Sequence, residues 1–191
     1  MEFRWLRWLT GLMLGTAVTL IILIAAGTFD PKPIGKLQWE RPLPSQTIAA
    51  NSQYIIWLAA APEGNYSLCL MTSYQSGESD LLYGLAIGDE EDFWVTAVSP
   101  LGYAAVWEQQ SALSVEHFAF QPWPHVRPDE NEIWLNVVDG RIIIRLNREL
   151  LWQGEVDLDS GQIGLWLESF GETAVVNFPT LQIFAVKDTQ N

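Results

Sequence analysis

From Tyr54 onward the chain is a succession of short runs rich in β-branched and aromatic residues, interrupted every eight to twelve residues by Gly, Pro, Asn or Asp. This rhythm is typical of an all-β sandwich or barrel, and helical spacing is nowhere convincing. About ten antiparallel strands exceed what one flat sheet tolerates, so we predict two stacked sheets. Asp139-Gly140 joins two of the runs, and both positions of a type I′ hairpin turn require positive φ.

Alternation along the runs separates an aliphatic face from a mixed face. We predict that the aliphatic faces form the core. Their members are Ile133, Leu135, Val137, Ile142, Ile144, Leu146, Ile163, Leu165, Leu167, Phe93, Val95 and Ala97. The opposite faces repeatedly couple a tryptophan with a polar residue two positions later, as in Trp134 and Asn136. A solvated face rarely carries repeated tryptophans, so we expect the tryptophan side to be a contact surface.

The N-terminal part carries 22 residues without a charge between Arg7 and Asp30. At 1.5 Å per residue, a helix of this length slightly exceeds the roughly 30 Å of bilayer hydrocarbon. We predict one transmembrane helix over 8–29. The alternative is a cleaved signal peptide, but its apolar core usually has only about 7 to 15 residues.

Basic residues near the ends of the helix predict its orientation. Arg4 and Arg7 precede it and Asp30 follows it, which favours a cytoplasmic N-terminus over 1–7 and an extracytoplasmic C-terminal domain in the cell membrane. Membrane lipid is then a partner of the helix.

Four prolines and no regular apolar period mark the segment that follows the helix. We interpret 30–46 as an extended stalk or an edge strand. The sandwich is predicted to occupy 47–187, and 188–191 to form a short tail.

Charge and cysteine content exclude several classes of function. The chain has 10 Lys and Arg against 23 Asp and Glu, a net charge of -13, so a phosphate backbone is repelled and nucleic-acid binding is excluded. One cysteine, Cys69, forms no intramolecular disulfide, and with only two histidines it does not build a zinc cluster. We predict no metal and no cofactor.

Several segments of the body resemble one known fold family. They comprise LLYGLAIGDEEDFWVTAVSPLGYAAV from Leu81, then Trp123, NEIWLNVVDGRIIIRLN from Asn131, GQIGL from Gly161, and Val176 to Phe178. In order and spacing they are similar to the concanavalin A-like lectin/glucanase superfamily, and most of all to its 3-keto-disaccharide hydrolase branch. The resemblance implies a two-sheet antiparallel jelly-roll sandwich. One departure is Asn147-Arg148, where the family usually has Asn-Gly.

The resemblance implies little about activity, because the fold is shared by hydrolases, sugar-binding modules and receptor ectodomains. The glucanases of this architecture carry a Glu-x-Asp-x-x-Glu arrangement on one strand, and this chain has none. Glu108 and Glu168, each at a strand end, are the only pair of acids that we could nominate, and solvated strand-end acids are the plainer interpretation. We therefore predict no catalytic residue.

The tryptophan side is the best candidate for a ligand-binding site. An indole offers a broad apolar surface for the C–H face of a sugar, while polar neighbours bind its hydroxyl groups. The candidate residues are Trp94, Trp134, Asn136, Arg145, Trp166 and Glu168. Contact with a protein partner and plain packing are equally compatible with the pattern.

Three functions follow from this reasoning. The first is a non-catalytic, extracytoplasmic domain, held by one membrane helix, that binds a glycan or a neighbouring protein. The second is a membrane-anchored saccharide hydrolase. The third is an accessory subunit of a membrane complex, held there by its helix.

Overall fold

The structure, a computed structural model, describes residues 4–26, 30–111, 113–156 and 161–186. The chain divides into two compact units, Met1–Lys32 and Pro33–Asn191. Residues 27–29, at the end of the predicted membrane helix, and the predicted tail over 188–191 lie outside the described residues.

The first unit contains helix α1 (Arg4–Ala25). Its 18-residue stretch Trp8–Ala25 has a mean hydropathy of 2.1, so the helix is long and apolar enough to cross a membrane; a signal sequence also has these properties. The hydroxyl groups of Thr16 and Thr19 donate to carbonyl oxygens one turn earlier, at 2.9 Å each. The helix therefore satisfies these two polar groups internally, as an apolar solvent requires.

The second unit consists of antiparallel strands. These are β1 (Lys36–Arg41), β2 (Gln46–Ile48), β3 (Gln53–Ala60), β4 (Tyr66–Gly77), β5 (Leu81–Gly88), β6 (Asp92–Ser99), β7 (Tyr103–Gln110), β8 (Leu113–Pro122), β9 (Asn131–Val138), β10 (Arg141–Leu146), β11 (Glu149–Glu155), β12 (Gln162–Ser169) and β13 (Ala174–Ala185). Sheet A has the order β1-β13-β4-β9-β10-β11, with β2 also paired to β13, and sheet B has the order β3-β12-β5-β6-β7-β8. The predicted all-β, two-sheet antiparallel sandwich, preceded by one apolar helix, is confirmed.

Strand β1 lies inside the proline-rich segment 30–46, for which the sequence predicts a stalk or an edge strand. It pairs with the end of β13, from Lys36 opposite Ala185 to Arg41 opposite Leu181. Leu43 packs in the core soon after it. Part of the proline-rich segment is therefore an edge strand of sheet A.

The predicted hairpin at Asp139-Gly140 is also confirmed, because the two residues have φ values of 49° and 73°. A second two-residue turn occurs at Asn147 and Arg148, with φ values of 52° and 75°. Arginine therefore adopts the left-handed conformation where glycine would be relaxed, which costs an L-residue about 1–2 kcal/mol.

The core between the sheets contains most of the side chains predicted for it, including the aliphatic faces of β9, β10 and β12. The prediction for β6 is wrong. Phe93, Val95 and Ala97 belong to a second apolar cluster on the outer face of sheet B, whereas Trp94 and Val98 face the core. Both faces of β6 are buried and apolar, so alternation alone gives no signal of which face points inward.

Candidate functional site

The six residues of the predicted site lie in three different places. Trp94 is in the core between the sheets, only 4% exposed, and stacks on His117 and Trp152 with ring centroids 4.4 Å and 5.3 Å away. It is unavailable to a ligand outside the fold. The prediction that Trp94 belongs to an outward face is therefore wrong.

Trp134, Asn136 and Arg145 lie together on the outer face of sheet A, on neighbouring strands β9 and β10. Trp134 is 4% exposed. The Asn136 Oδ1 accepts a 2.6 Å hydrogen bond from the Ser67 hydroxyl, whose oxygen in turn accepts from the backbone N–H of Ile34 at 2.7 Å. The chain that leads into β1 is thus hydrogen-bonded to this face at Ser67, and Trp134 does not form an open platform.

Trp166 and Glu168 lie on the outer face of sheet B, opposite the core. Trp166 belongs to the second apolar cluster and is 3% exposed. Glu108, nominated with Glu168 as an acid pair, points instead toward the core side, where its Oε2 lies 3.3 Å from His117 Nε2. Glu108 and Glu168 therefore lie on opposite faces of sheet B. The outer face of this sheet, which carries Trp166 and Glu168, is the remaining candidate for a site.

Small residues occupy the middle of this face, and strand register aligns them. One cross-strand row joins Trp166 to Gly84, Ala97 and Ala105. The next row joins Gly164 to Ala86, Val95 and Trp107, and Trp107 in turn pairs with Glu116 on β8. Side chains in one row are neighbours on one face. The small residues therefore leave a depression in the middle of the outer face of sheet B, with tryptophan side chains beside it.

Aromatic rings surround this depression on the outer face of sheet B. Trp107 packs edge-on against Trp166 at 5.1 Å, and Phe93 lies 6.1 Å from Trp166. Phe120 stacks on Tyr103 at 4.8 Å and is 48% exposed. Trp107 and Phe120 are therefore rings that a ligand reaches from solvent, whereas Trp166 supports them from below.

A cavity of about 190 Å³ opens between these rings. Its lining consists of Leu82, Ala105, Val106, Trp107, Ser114, Glu116, Phe118, Phe120 and Glu168. The β7–β8 pairing has two register shifts beside it, on either side of Val106. Such bulges bend an edge strand and increase its twist, and they are frequent next to binding sites.

The electrostatics of the cavity are set by two carboxylates. Glu168 is half-buried, and its burial raises the pKa of the carboxyl above the ordinary value. The Trp166 indole N–H lowers it in part, although its geometry falls outside that of a hydrogen bond. Glu116 is exposed at the opposite side of the opening.

A second hollow of about 350 Å³ lies at the outer side of sheet A, lined by Met71, Arg127, Glu132, Asn147 and Arg148. Its lining contains no aromatic ring. The Arg148 Nε lies 3.4 Å from Glu132 Oε2, so guanidinium and carboxylate already interact. The aromatic cavity on sheet B is consequently the better candidate for a ligand site.

Of the residues that line this cavity, the sequence analysis nominated Glu168, and it also nominated Trp166 beneath the rings; it did not nominate Trp107, Glu116 or Phe120. The spacing of Tyr103, Ala105 and Trp107 places those three side chains on one face, and this was available as a signal. The bulged register that brings β8 beside Trp107 was not.

Comparison with known proteins gives a fold but no sequence relative. No protein-family profile matches the chain, and no curated protein matches it significantly. The structure is similar to the carbohydrate-binding module CBM66 from Bacillus subtilis, with a TM-score of 0.59 and 11% identity, over 80% of this chain and 99% of the module. The likeness shows the fold, a jelly-roll sandwich.

Two further solved structures are similar in fold. The Caenorhabditis elegans galectin LEC-6 matches with a TM-score of 0.51 and 12% identity, over 74% of this chain and 96% of the galectin. A β-fructofuranosidase from Aspergillus kawachii matches with a TM-score of 0.54 and 13% identity, over 80% of this chain but only 29% of the enzyme. The resemblance to the 3-keto-disaccharide hydrolase branch stays a prediction.

Proposed function

We propose that the sandwich is a non-catalytic glycan-binding domain and that its site is the aromatic cavity on sheet B. The observation that carries this proposal is the cavity of about 190 Å³ flanked by the Trp107 and Phe120 rings and by two carboxylates. An indole face packs against the C–H groups of a sugar ring, and carboxylate oxygens accept hydrogen bonds from its hydroxyl groups.

The size of the cavity favours a single sugar ring. Pockets for drug-sized ligands start at roughly 300 Å³. The cavity is smaller, and it opens on a sheet face. The domain would therefore hold one terminal or side-chain sugar of a glycan and leave the rest of the chain in solvent.

The placement of the acids favours binding over hydrolysis. The backbones of Glu168 on β12 and Glu116 on β8 are four strand spacings apart in sheet B, about 19 Å at 4.7–4.9 Å per strand, so both long side chains have to extend to reach the one cavity that they line. The two carboxyl groups of a glycosidase are held roughly 5 to 10 Å apart on rigid elements. Glu116 is also exposed on an edge strand, so these acids suit hydroxyl recognition better than acid–base chemistry.

The test compares the full chain in lipid nanodiscs with two tryptophan variants on a glycan array. Trp107→Ala should abolish binding while the fold is retained. Trp39→Ala, which removes a half-buried indole from edge strand β1 of the other sheet, is the matched control and should bind normally. Binding that survives Trp107→Ala, or release of sugar products by the native chain, would overturn the proposal.

The apolar helix supports a second part of the proposal, that the sandwich is tethered outside the cell membrane with residues 1–7 in the cytoplasm. The support is the length and hydropathy of Trp8–Ala25, together with Arg4 and Arg7 before it. Protease added to intact spheroplasts should digest the sandwich. If digestion requires lysis, the proposed orientation is wrong.

A further inference from the structure

We infer that the cavity selects its sugar by charge: it prefers amino sugars with a free ammonium group to neutral sugars, and it rejects uronic acids. This inference rests on the proposed function, because it names the class of glycan that the same cavity would take.

The charged side chains among the nine that line the cavity are all acidic. Glu116 and Glu168 face it, and neither lysine nor arginine contributes to the lining. Among the described residues, Glu108 pairs with His117 and Glu132 with Arg148, and neither pair involves a carboxylate of the cavity. The two carboxylates of the cavity thus have no cationic partner among the described residues, and a ligand has to compensate them.

The hydrogen-bonding capacity of the lining is equally one-sided. Two carboxylates offer four acceptor oxygens, whereas the side-chain donors are the Ser114 hydroxyl and the Trp107 indole N–H. A ligand that donates hydrogen bonds matches this lining, and one that mainly accepts does not. An ammonium group has three donors and no acceptor, which makes it the best match among common sugar substituents.

The positions of the acids relative to the rings strengthen the match. Trp107 and Glu116 are cross-strand neighbours, so a cation beside the indole face lies within reach of a carboxylate. On the far side, Glu168 is half-buried next to Leu82, its cross-strand partner. Hydrogen bonds between an ammonium and a carboxylate are roughly twice as strong as neutral ones, and partial burial keeps them from being fully screened.

A carboxylated sugar meets the opposite conditions. Its charge would be placed beside two like charges with few donors available, and the whole chain carries a net charge of -13. Like charges brought together at an interface weaken binding severely. Uronic acids should therefore be excluded even when their ring has the right shape.

The experiment uses two trios of monosaccharides that differ in one substituent: glucosamine, glucose and glucuronate, and the corresponding galacto sugars. Saturation-transfer NMR on the full chain in nanodiscs at neutral pH measures their dissociation constants. In at least one trio, the amino sugar should bind about tenfold more tightly than the neutral sugar. The uronate should bind at least about tenfold more weakly than the neutral sugar.

Two double variants separate the cavity from the general negative charge. Glu116→Gln with Glu168→Gln should reduce the preference for the amino sugar to about twofold or less. Glu149→Gln with Glu155→Gln changes the net charge equally at exposed positions on β11 of sheet A, and should keep the preference. A preference that persists in the first variant, or disappears in the second, overturns the inference.

The outcomes also distinguish this inference from the proposed function. If Trp107→Ala abolishes binding but uronates bind as well as amino sugars, the charge selection is wrong and glycan binding stands. If no sugar of either trio gives a signal that depends on Trp107, the proposed function and the inference both fail.

Discussion

Replacing Trp94 by alanine tests whether this indole belongs to the core between the sheets. Trp94 is 4% exposed and packs against both His117 and Trp152, which also contact each other. Deleting a buried tryptophan side chain costs about 3–5 kcal/mol, because the transfer free energy is lost and a cavity remains. With a slope of about 2 kcal/mol per molar urea, the unfolding midpoint should fall by roughly 1.5–2.5 M.

The assay is urea unfolding followed by far-UV circular dichroism, with Trp107→Ala as the matched control. Trp107 is only half-buried, so its removal should cost about 2 kcal/mol or less. Under folding conditions, Trp94→Ala should leave the proposed glycan binding unchanged, because the indole lies on the core side of sheet B and the cavity lies on the outer side. The reasoning is refuted if Trp94→Ala destabilises less than Trp107→Ala, or if it abolishes binding while the protein is folded.

Three further predictions concern single residues. Burial raises the pKa of Glu168, so the contribution of this carboxyl to native stability should fall as pH rises from the ordinary glutamate pKa, about 4.3, through the raised one; relative to the native chain at the same pH, Glu168→Gln should therefore gain in urea midpoint between pH 4 and pH 7, and an unchanged difference would contradict the raised pKa. A Cβ at Gly84 would overlap the backbone carbonyl oxygen of Thr96, so Gly84→Ala should cost at least about 2 kcal/mol in the same unfolding assay, and a neutral effect would contradict the close approach. Burial, together with the Glu132 carboxylate, raises the pKa of the Cys69 thiol well above its usual range; iodoacetamide should modify Cys69 only in urea, and rapid labelling of the native chain would show that the thiol is accessible.

Strand rhythm predicted the fold because it reports a local property. Asp139-Gly140 formed the expected turn, and the alternation of Ile142, Ile144 and Leu146 placed the right side of β10 in the core. Each of these features depends on neighbouring residues in the chain. A local pattern was therefore sufficient for them.

The site could be predicted only in part, because it depends on which face of each sheet points outward. Trp94, Trp134 and Trp166 share one sequence pattern, a tryptophan followed two residues later by a polar side chain, yet they lie in the core, on sheet A and on sheet B. Sheet B buries apolar residues on both faces, so polarity did not mark its outer side. Glu116 and Trp107 become neighbours only through the bulged β7–β8 pairing, which no local pattern encodes.

The pairing of β1 with β13 has a mechanical consequence. The chain enters the sandwich just before β1, so tension arriving from the N-terminal side is borne by the Ile34–Ser67 hydrogen bond and then by the ladder between Lys36–Arg41 and Leu181–Ala185, at the margin of sheet A. The aromatic cavity belongs to sheet B, whose strand order contains neither β1 nor β13. A pull strong enough to peel β1 away would therefore lengthen the segment before the sandwich while the rings around the cavity on sheet B keep their positions.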